Sequence, residues 1–173
     1  MNVQIVVADK SQHAPEIREL FWEHLQWANA RVNEEFNFNF DIVNMLKDDM
    51  QDLEKFMPPK GRLLLCYSDD QLAGIVCLKP LFPTIVEIKR MYVRPSHRKA
   101  GLGHALVKQL LQEARDIGYQ RIQLHSAGFM KDAHQLYRSM GFNEISAYEG
   151  NEIPEEFHKR WVFMELRLVP DQY

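Results

Sequence analysis

A strand that is cut short by a proline and turned within a few residues into a glycine-led helix constrains this chain more than any other feature. Glu87, Lys89, Met91 and Val93 alternate with Ile88, Arg90 and Tyr92, the two-residue period of a strand, which predicts that the first four share one face. Pro95 forbids continuation of that strand. Arg98-Lys99-Ala100-Gly101-Leu102-Gly103 follows, after which Leu106, Val107, Leu110, Leu111 and Ala114 recur at helical spacing until Gly118. The first N–H groups of a helix have no partner within it and lie at the positive end of its dipole, so they stabilise an anion. Gly101 and Gly103 let backbone approach such an anion closely, and Arg94, Arg98 and Lys99 add positive charge around it. Taken alone, the spacing is equally that of a glycine-containing turn beside a solvated basic loop.

Two better-known phosphate motifs do not fit. No Gly-Lys-Ser or Gly-Lys-Thr occurs, which removes the P-loop. After Gly101-Leu102-Gly103 the third small position is Leu106, and the region from Arg121 to His125 has no acid to hold a ribose, which removes the dinucleotide fingerprint. With 173 residues, 46% of them apolar, the chain has material for one domain with a real core, expected to span residues 1–173. A net charge of −3 argues against nucleic acid as a partner. There is no basic-then-apolar leader and no apolar run near the roughly 20 residues that span a bilayer, so the expectation is a soluble cytoplasmic protein with no membrane partner. Cys66 and Cys77 lie in apolar segments without metal-type spacing and read as buried free thiols.

Taken in order, Gln4 to Ala8 reads as a strand leading into a helix capped by Asp9 or Ser11, with Ile17, Leu20, Phe21, His24, Leu25 and Ala28 facing inward. Asn33 to Phe40 alternates polar and aromatic residues, as a short strand or a loop would. Asp41 caps a second helix running to about Phe56. Gly61 to Ser68 and Gln71 to Pro80 form a hairpin around Asp69-Asp70, and Pro80 and Pro83 delimit a turn before the central strand. The helix up to Gly118 then crosses over to a strand at Arg121 to Ser126, parallel to the central one. A short helix from Ala133 to Met140 stops at Gly141, and Asn143 to Tyr148 with Trp161 to Leu168 form a last hairpin around a long acidic loop.

The R-x-x-G-x-G loop at Arg98 to Gly103 resembles that of the GNAT superfamily, the acyl-CoA-dependent N-acetyltransferases. Four features extend the resemblance from Glu87 to Phe142, about a third of the chain: Val93-Arg94-Pro95 before the loop, the leucine-rich helix, Ile122 to Ser126 as the next strand, and A-x-x-x-Y-x-x-x-G-F from Ala133 to Phe142. It implies a mixed α/β (α+β) fold with a mostly antiparallel central sheet of about seven strands and about four flanking helices. It also implies acetyl-CoA as co-substrate, held at the pyrophosphate by Arg98, Lys99, Ala100, Gly101, Leu102, Gly103 and His104, and along the pantetheine by Met91 and Val93. Many members carry an asparagine where this chain has Met130, seven residues before Tyr137, so a side-chain hydrogen bond to the cofactor is in question there.

Within the family the tyrosine corresponding to Tyr137 lies near the acyl-CoA sulfur and protonates the departing thiolate; bare of that resemblance, Tyr137 reads as a boundary aromatic. Its phenol, with an ordinary pKa about that of an alkyl thiol, can share a proton with one. Glu87 stands eleven residues before Arg98, the spacing of the glutamate base in one branch of the family; the alternative is a surface pair with Lys89 or Arg90. His125 is a second candidate base. Seven histidines contain no H-E-x-x-H or similar cluster, so no metal is expected. The resulting expectation is an acetyl-CoA-dependent N-acetyltransferase acting on a small-molecule or peptide primary amine by direct attack in a ternary complex, the alternative being a non-catalytic acyl-CoA-binding domain; a homodimer is left open. Glu34 and Glu35 beside Phe36, Phe38 and Phe40, together with Glu149, Glu152, Glu155 and Glu156, suit an acceptor with a second positive charge, or are simply solvated surface loops.

Overall fold

The computed structural model describes residues 1–168. Seven strands form one sheet in the order β1-β2-β3-β4-β5-β7-β6: β1 (Val3–Val7), β2 (Arg62–Ser68), β3 (Gln71–Phe82), β4 (Ile85–Val93), β5 (Arg121–Ala127), β6 (Asn143–Ile145) and β7 (Trp161–Arg167). All neighbours run antiparallel except β4 and β5. Four α-helices accompany them, α1 (Lys10–Phe36), α2 (Ile42–Gln51), α3 (Leu102–Ile117) and α4 (Lys131–Ser139). This is the mixed, mostly antiparallel architecture the sequence implies.

Local chemistry accounts for most boundaries. Asp9 caps α1, its carboxylate accepting from Ser11 N at 2.7 Å. The helix runs farther than the alternation around Phe36 predicts: Asn33 to Phe36 complete its last turn, and Asn37 ends it in the left-handed conformation with its N–H on Asn33 O. No strand forms there. Asp41 caps α2, but that helix stops at Gln51 and a 3-10 turn, Leu53–Phe56, replaces its expected end. Asp69 and Asp70 both take positive φ (48° and 64°), the pair of left-handed residues that a two-residue hairpin needs. Pro80 lies inside β3 and not at its end; the register slips between Pro80 and Phe82, so the missing N–H falls at an irregularity. Gly118 and Gly141 close α3 and α4 at φ of 103° and 97°.

Apolar residues bury both faces of the sheet. Leu102, Leu106, Val107, Leu110 and Leu111 of α3 pack with Leu64, Val76, Leu78, Val86, Ile88, Ile122 and Leu124 on one face. Ile17, Leu20, Phe21 and Leu25 of α1 and Leu46 of α2 pack with Leu63, Leu65, Ile75, Cys77 and Tyr92 on the other. Strands covered on both sides read as near-continuous apolar runs, as β2 and β3 do. Cys66 and Cys77 are free and buried within these layers.

Candidate active site

The sheet is interrupted where its one parallel junction lies. Pairing between β4 and β5 is confined to Ile85–Arg121, Val86–Ile122 and Glu87–Gln123, although β4 continues to Val93 and β5 to Ala127. Beyond Glu87 and Gln123 the two strands diverge into a wedge, β4 held on its far side by β3 and β5 on its far side by β7. Arg94 N donates to Ala73 O on β3 at 2.8 Å, so by strand alternation the main-chain groups of Val93 and Met91 face the wedge. An exposed strand edge of this kind accepts another extended chain.

A bulge sets which side chains stand at that edge. Tyr92 pairs with Ile75 and Lys89 with Cys77, leaving Arg90 and Met91 opposite Val76 alone, with Arg90 at φ 54°. Simple alternation therefore fails, and the expectation that Glu87, Lys89, Met91 and Val93 share a face is corrected. Met91 and Val93 pack with the α3 layer, whereas Lys89, directly opposite Cys77, is on the α1 and α2 face with Glu87. Arg90 is anchored there by Asp49, whose Oδ2 accepts from both its Nε and Nη2 at 2.7 Å while Oδ1 accepts from Lys55 at 2.9 Å.

The basic loop after β4 is built differently from a simple ring of charge. Arg94 is taken up by Glu19, Glu23 and Leu72 O, so its charge is spent on α1 and the hairpin. Arg98 donates from Nε to Val93 O at 2.8 Å, with its guanidinium stacked 4.7 Å from the Trp27 ring and 5.7 Å from Tyr92. It braces the loop and occupies one acceptor on the β4 edge. Lys99 and Gly101 have positive φ (62° and 80°), and Lys99, Ala100, Gly101 and His104 are exposed while Leu102 anchors the turn in the core. No side chain caps α3, and its first backbone bond is Ala105 N to Gly101 O, which leaves the Leu102, Gly103 and His104 amides open to an anion. Gly103 has a packing reason for lacking a Cβ: one would stand 3.2 Å from the Met91 methyl and 3.5 Å from Leu136. Met130, at the start of α4, makes no side-chain cap there.

Tyr137 on α4 is buried in the α3 layer, 5.6 Å from Phe142 between ring centres, and burial raises its phenol above the ordinary value. Glu87 is fully buried; the structure does not leave it in a surface pair. Its Oε2 accepts from Tyr148 at 2.6 Å and its Oε1 lies 3.7 Å from Lys89 Nζ. Burial raises its pKa against the opposing pull of Lys89 and the Tyr148 hydrogen bond. His125 lies two residues beyond Gln123 on β5, its Nε2 sealed and without a partner, and burial holds its pKa down at about 3. Tyr137 is thus on one face of the wedge and Glu87, His125 and Tyr148 are on the other. Neither Tyr148 nor Gln123 was singled out in the sequence: the position of Tyr148 depends on the irregular segment after β6, whereas the signal for Gln123 was its shared parity with His125 on β5.

The acidic passages are paired in part, while Glu149, Glu155 and Glu156 stay exposed. Arg31 stands 3.7 Å from Glu34 and 3.9 Å from Glu35, and Glu152 receives Lys79 at 2.9 Å and Lys89 at 2.5 Å. Phe36, Phe38, Phe40, Phe129, Phe157 and Trp161 form one run of touching rings, but Arg31 and Arg160 already cover Phe129 and Phe36. The pairing of Glu34, Glu35 and Glu152 weakens the basis for a doubly positive acceptor at those three residues. Among the described residues no group of three His, Cys, Asp or Glu could hold a metal ion, and no helix is long and apolar enough to cross a membrane.

Comparison with known proteins agrees with this geometry. The sequence model of the Acetyltransferase (GNAT) family matches residues 14–142. An uncharacterized N-acetyltransferase of Schizosaccharomyces pombe is 30% identical over 161 residues, 92% of this chain and 94% of that protein. Human N-acetyltransferase 8 is 32% identical over 112 residues, which cover 60% of this chain but only 49% of that protein. Among solved structures, the PaiA N-acetyltransferase of Thermoplasma acidophilum in complex with coenzyme A superposes with a TM-score of 0.72 over 96% of this chain and 99% of the other at 16% identity. A GNAT-family acetyltransferase of Staphylococcus aureus gives 0.71 over 97% and 100% at 20% identity.

Proposed function

Because the chain belongs to the acetyltransferase (GNAT) family and is an acyltransferase, we propose that it transfers the acetyl group of acetyl-CoA to a primary amine by direct attack in a ternary complex. The observation that carries this reading is the β4–β5 wedge beside the uncapped end of α3. The amides of Leu102, Gly103 and His104 receive the pyrophosphate, with Lys99, Ala100 and Gly101 shaping the turn and Arg98 bracing it. The pantetheine amides pair with Met91 and Val93 as an added strand would, which directs the thioester toward the apex of the wedge.

At that apex the amine nitrogen attacks the acetyl carbonyl carbon. As the tetrahedral intermediate collapses the carbon–sulfur bond breaks, and Tyr137 gives its proton to the thiolate. Burial raises this phenol, and apolar surroundings raise a thiol in the same direction, as they do at Cys77. Glu87 takes the proton lost by the amine, directly or through one water, with Tyr148 holding its Oε2 in place. A raised carboxylate pKa makes it the stronger base. Both cysteines are buried with thiols pushed upward, which favours transfer without a covalent enzyme intermediate. Two free thiols also suit a reducing, cytoplasmic setting.

The test is calorimetry with acetyl-CoA followed by a thiol-release screen over a library of amines. Saturable acetyl-CoA binding and amine-dependent CoA release are expected. Binding without release for every amine would turn the reading toward a non-catalytic acyl-CoA-binding domain.

A further inference from the structure

The face of the sheet opposite α3 carries a row of polar side chains in register. Lys79 lies opposite Glu87 across β3 and β4, and Glu87 lies opposite Gln123 across β4 and β5. Lys89 and His125 stand two residues farther along their strands on either side of the opening wedge. Three polar atoms in this row are sealed and without a hydrogen-bond partner: Glu87 Oε1, Gln123 Oε1 and His125 Nε2. Buried polar atoms without a hydrogen bond are costly, and Glu87 Oε1 and Gln123 Oε1, acceptors both, with His125 Nε2 an acceptor in the tautomer that carries its proton on Nδ1, mark the place of something that donates. An amine nitrogen supplies several N–H groups at one point.

Beside them the charge is of the other sign. Lys89 Nζ is buried 3.7 Å from Glu87 Oε1, and it converges with Lys79 on one carboxylate, that of Glu152. Glu152 comes from the irregular segment between β6 and β7, and its side chain is 54% exposed, so it is the one member of this group that can leave without opening the core. Burial works against its charge, but Lys89 and Lys79 outweigh that and hold its carboxyl well below the usual range, which measures how well the two lysines receive a carboxylate. We propose that the acceptor is an amine that also bears a carboxylate, as an amino acid does, with its nitrogen at Glu87, Gln123 and His125 and its carboxylate on Lys89 and Lys79 in place of Glu152. This rests on the acetyltransferase reading and narrows its substrate class. Glu152 acts as an internal stand-in that keeps the lysines paired until the acceptor arrives.

The test compares CoA release from acetyl-CoA with matched acceptors that differ only in the carboxylate: alanine, ethylamine and alaninamide, then phenylalanine, phenethylamine and phenylalaninamide. The decarboxylated amine and the amide bracket each acid in basicity, so a preference for the acid cannot come from nucleophilicity. The acid should exceed both in kcat/KM by about tenfold or more, the scale of one charge-assisted contact. Lys89→Met should bring the ratio to near one. Lys79→Met, at a side chain only partly covered, should do the same in part should the first variant fail to fold. Glu152→Gln should lower KM for the acids alone. Equal or better use of the uncharged partners by the wild type, or a preference that survives both lysine substitutions, overturns the proposal while leaving the acetyltransferase reading intact. Absence of acetyl-CoA binding in calorimetry overturns both.

Discussion

Tyr137 has its ring among core residues and its hydroxyl without a hydrogen-bond partner among the described residues, an arrangement compatible with the proton donor proposed above. Tyr137→Phe keeps the packing against Phe142 and removes only the hydroxyl. Acetyl-CoA affinity should stay nearly unchanged while kcat falls about 10²-fold, within the range of a lost general acid. Single-turnover kinetics check this, and an unchanged chemical step would assign the residue to packing. Glu87 should show its role through pH: Glu87→Gln is expected to abolish the acidic limb of the kcat/KM profile, and an unaltered limb would transfer that limb to another group. It was the resemblance that singled out Tyr137, by the A-x-x-x-Y pattern, and Glu87, by its eleven-residue distance from Arg98. Their surroundings were not legible in the sequence, because Tyr148 and Glu152 reach Glu87 and Lys89 from 61 and 63 residues away.

Strand β4 shows how an element departs from its pattern. Its alternating sequence reads as a plain strand, and nothing in it announces that Arg90 takes φ 54° or that two residues there oppose Val76. Arg90 is met there from α2, where Asp49 holds it and Lys55 in a nearly buried ion cluster. Asp49→Ala leaves two cations without their partner and is expected to cost about 3 kcal/mol, as loss of one side of a buried ion pair does. Urea denaturation measures that loss. Since the bulge sets which groups of β4 border the wedge, the same variant should weaken acetyl-CoA binding; unchanged affinity would separate the ion cluster from the site. Boundaries governed by caps and left-handed residues were legible at Asp9, Asp41, Gly118 and Gly141. The end of α1 was not, because Phe36 serves the helix while Phe38 and Phe40 serve an aromatic run completed by distant Phe157 and Trp161.

Burial lowers the pKa of three histidines in the molecule, His134 among them, and at His24 and His125 brings it down to about 3. In the unfolded chain both titrate near 6.5, so between pH 6.5 and about 3 the unfolded state binds more protons and stability falls as pH falls. Each histidine contributes up to about 1.4 kcal/mol per pH unit in that window. Glu87, with its pKa raised, acts in the opposite sense nearer the carboxylate range. Denaturation midpoints at pH 7, 6 and 5 should therefore decline, and less steeply in a His24→Gln, His125→Gln variant; a flat wild-type series would contradict this. The three residue pairs joining β4 to β5 have another outcome for the whole. They act as the spine of a half-open book, with β1 to β4 as one cover and β5, β7 and β6 as the other. A ligand laid as a strand between the covers is then also a structural tie. Amide hydrogens along both inner margins, from Ile88 to Val93 and from Leu124 to Ala127, should exchange with solvent more slowly once CoA is bound, and the melting temperature should climb with CoA concentration.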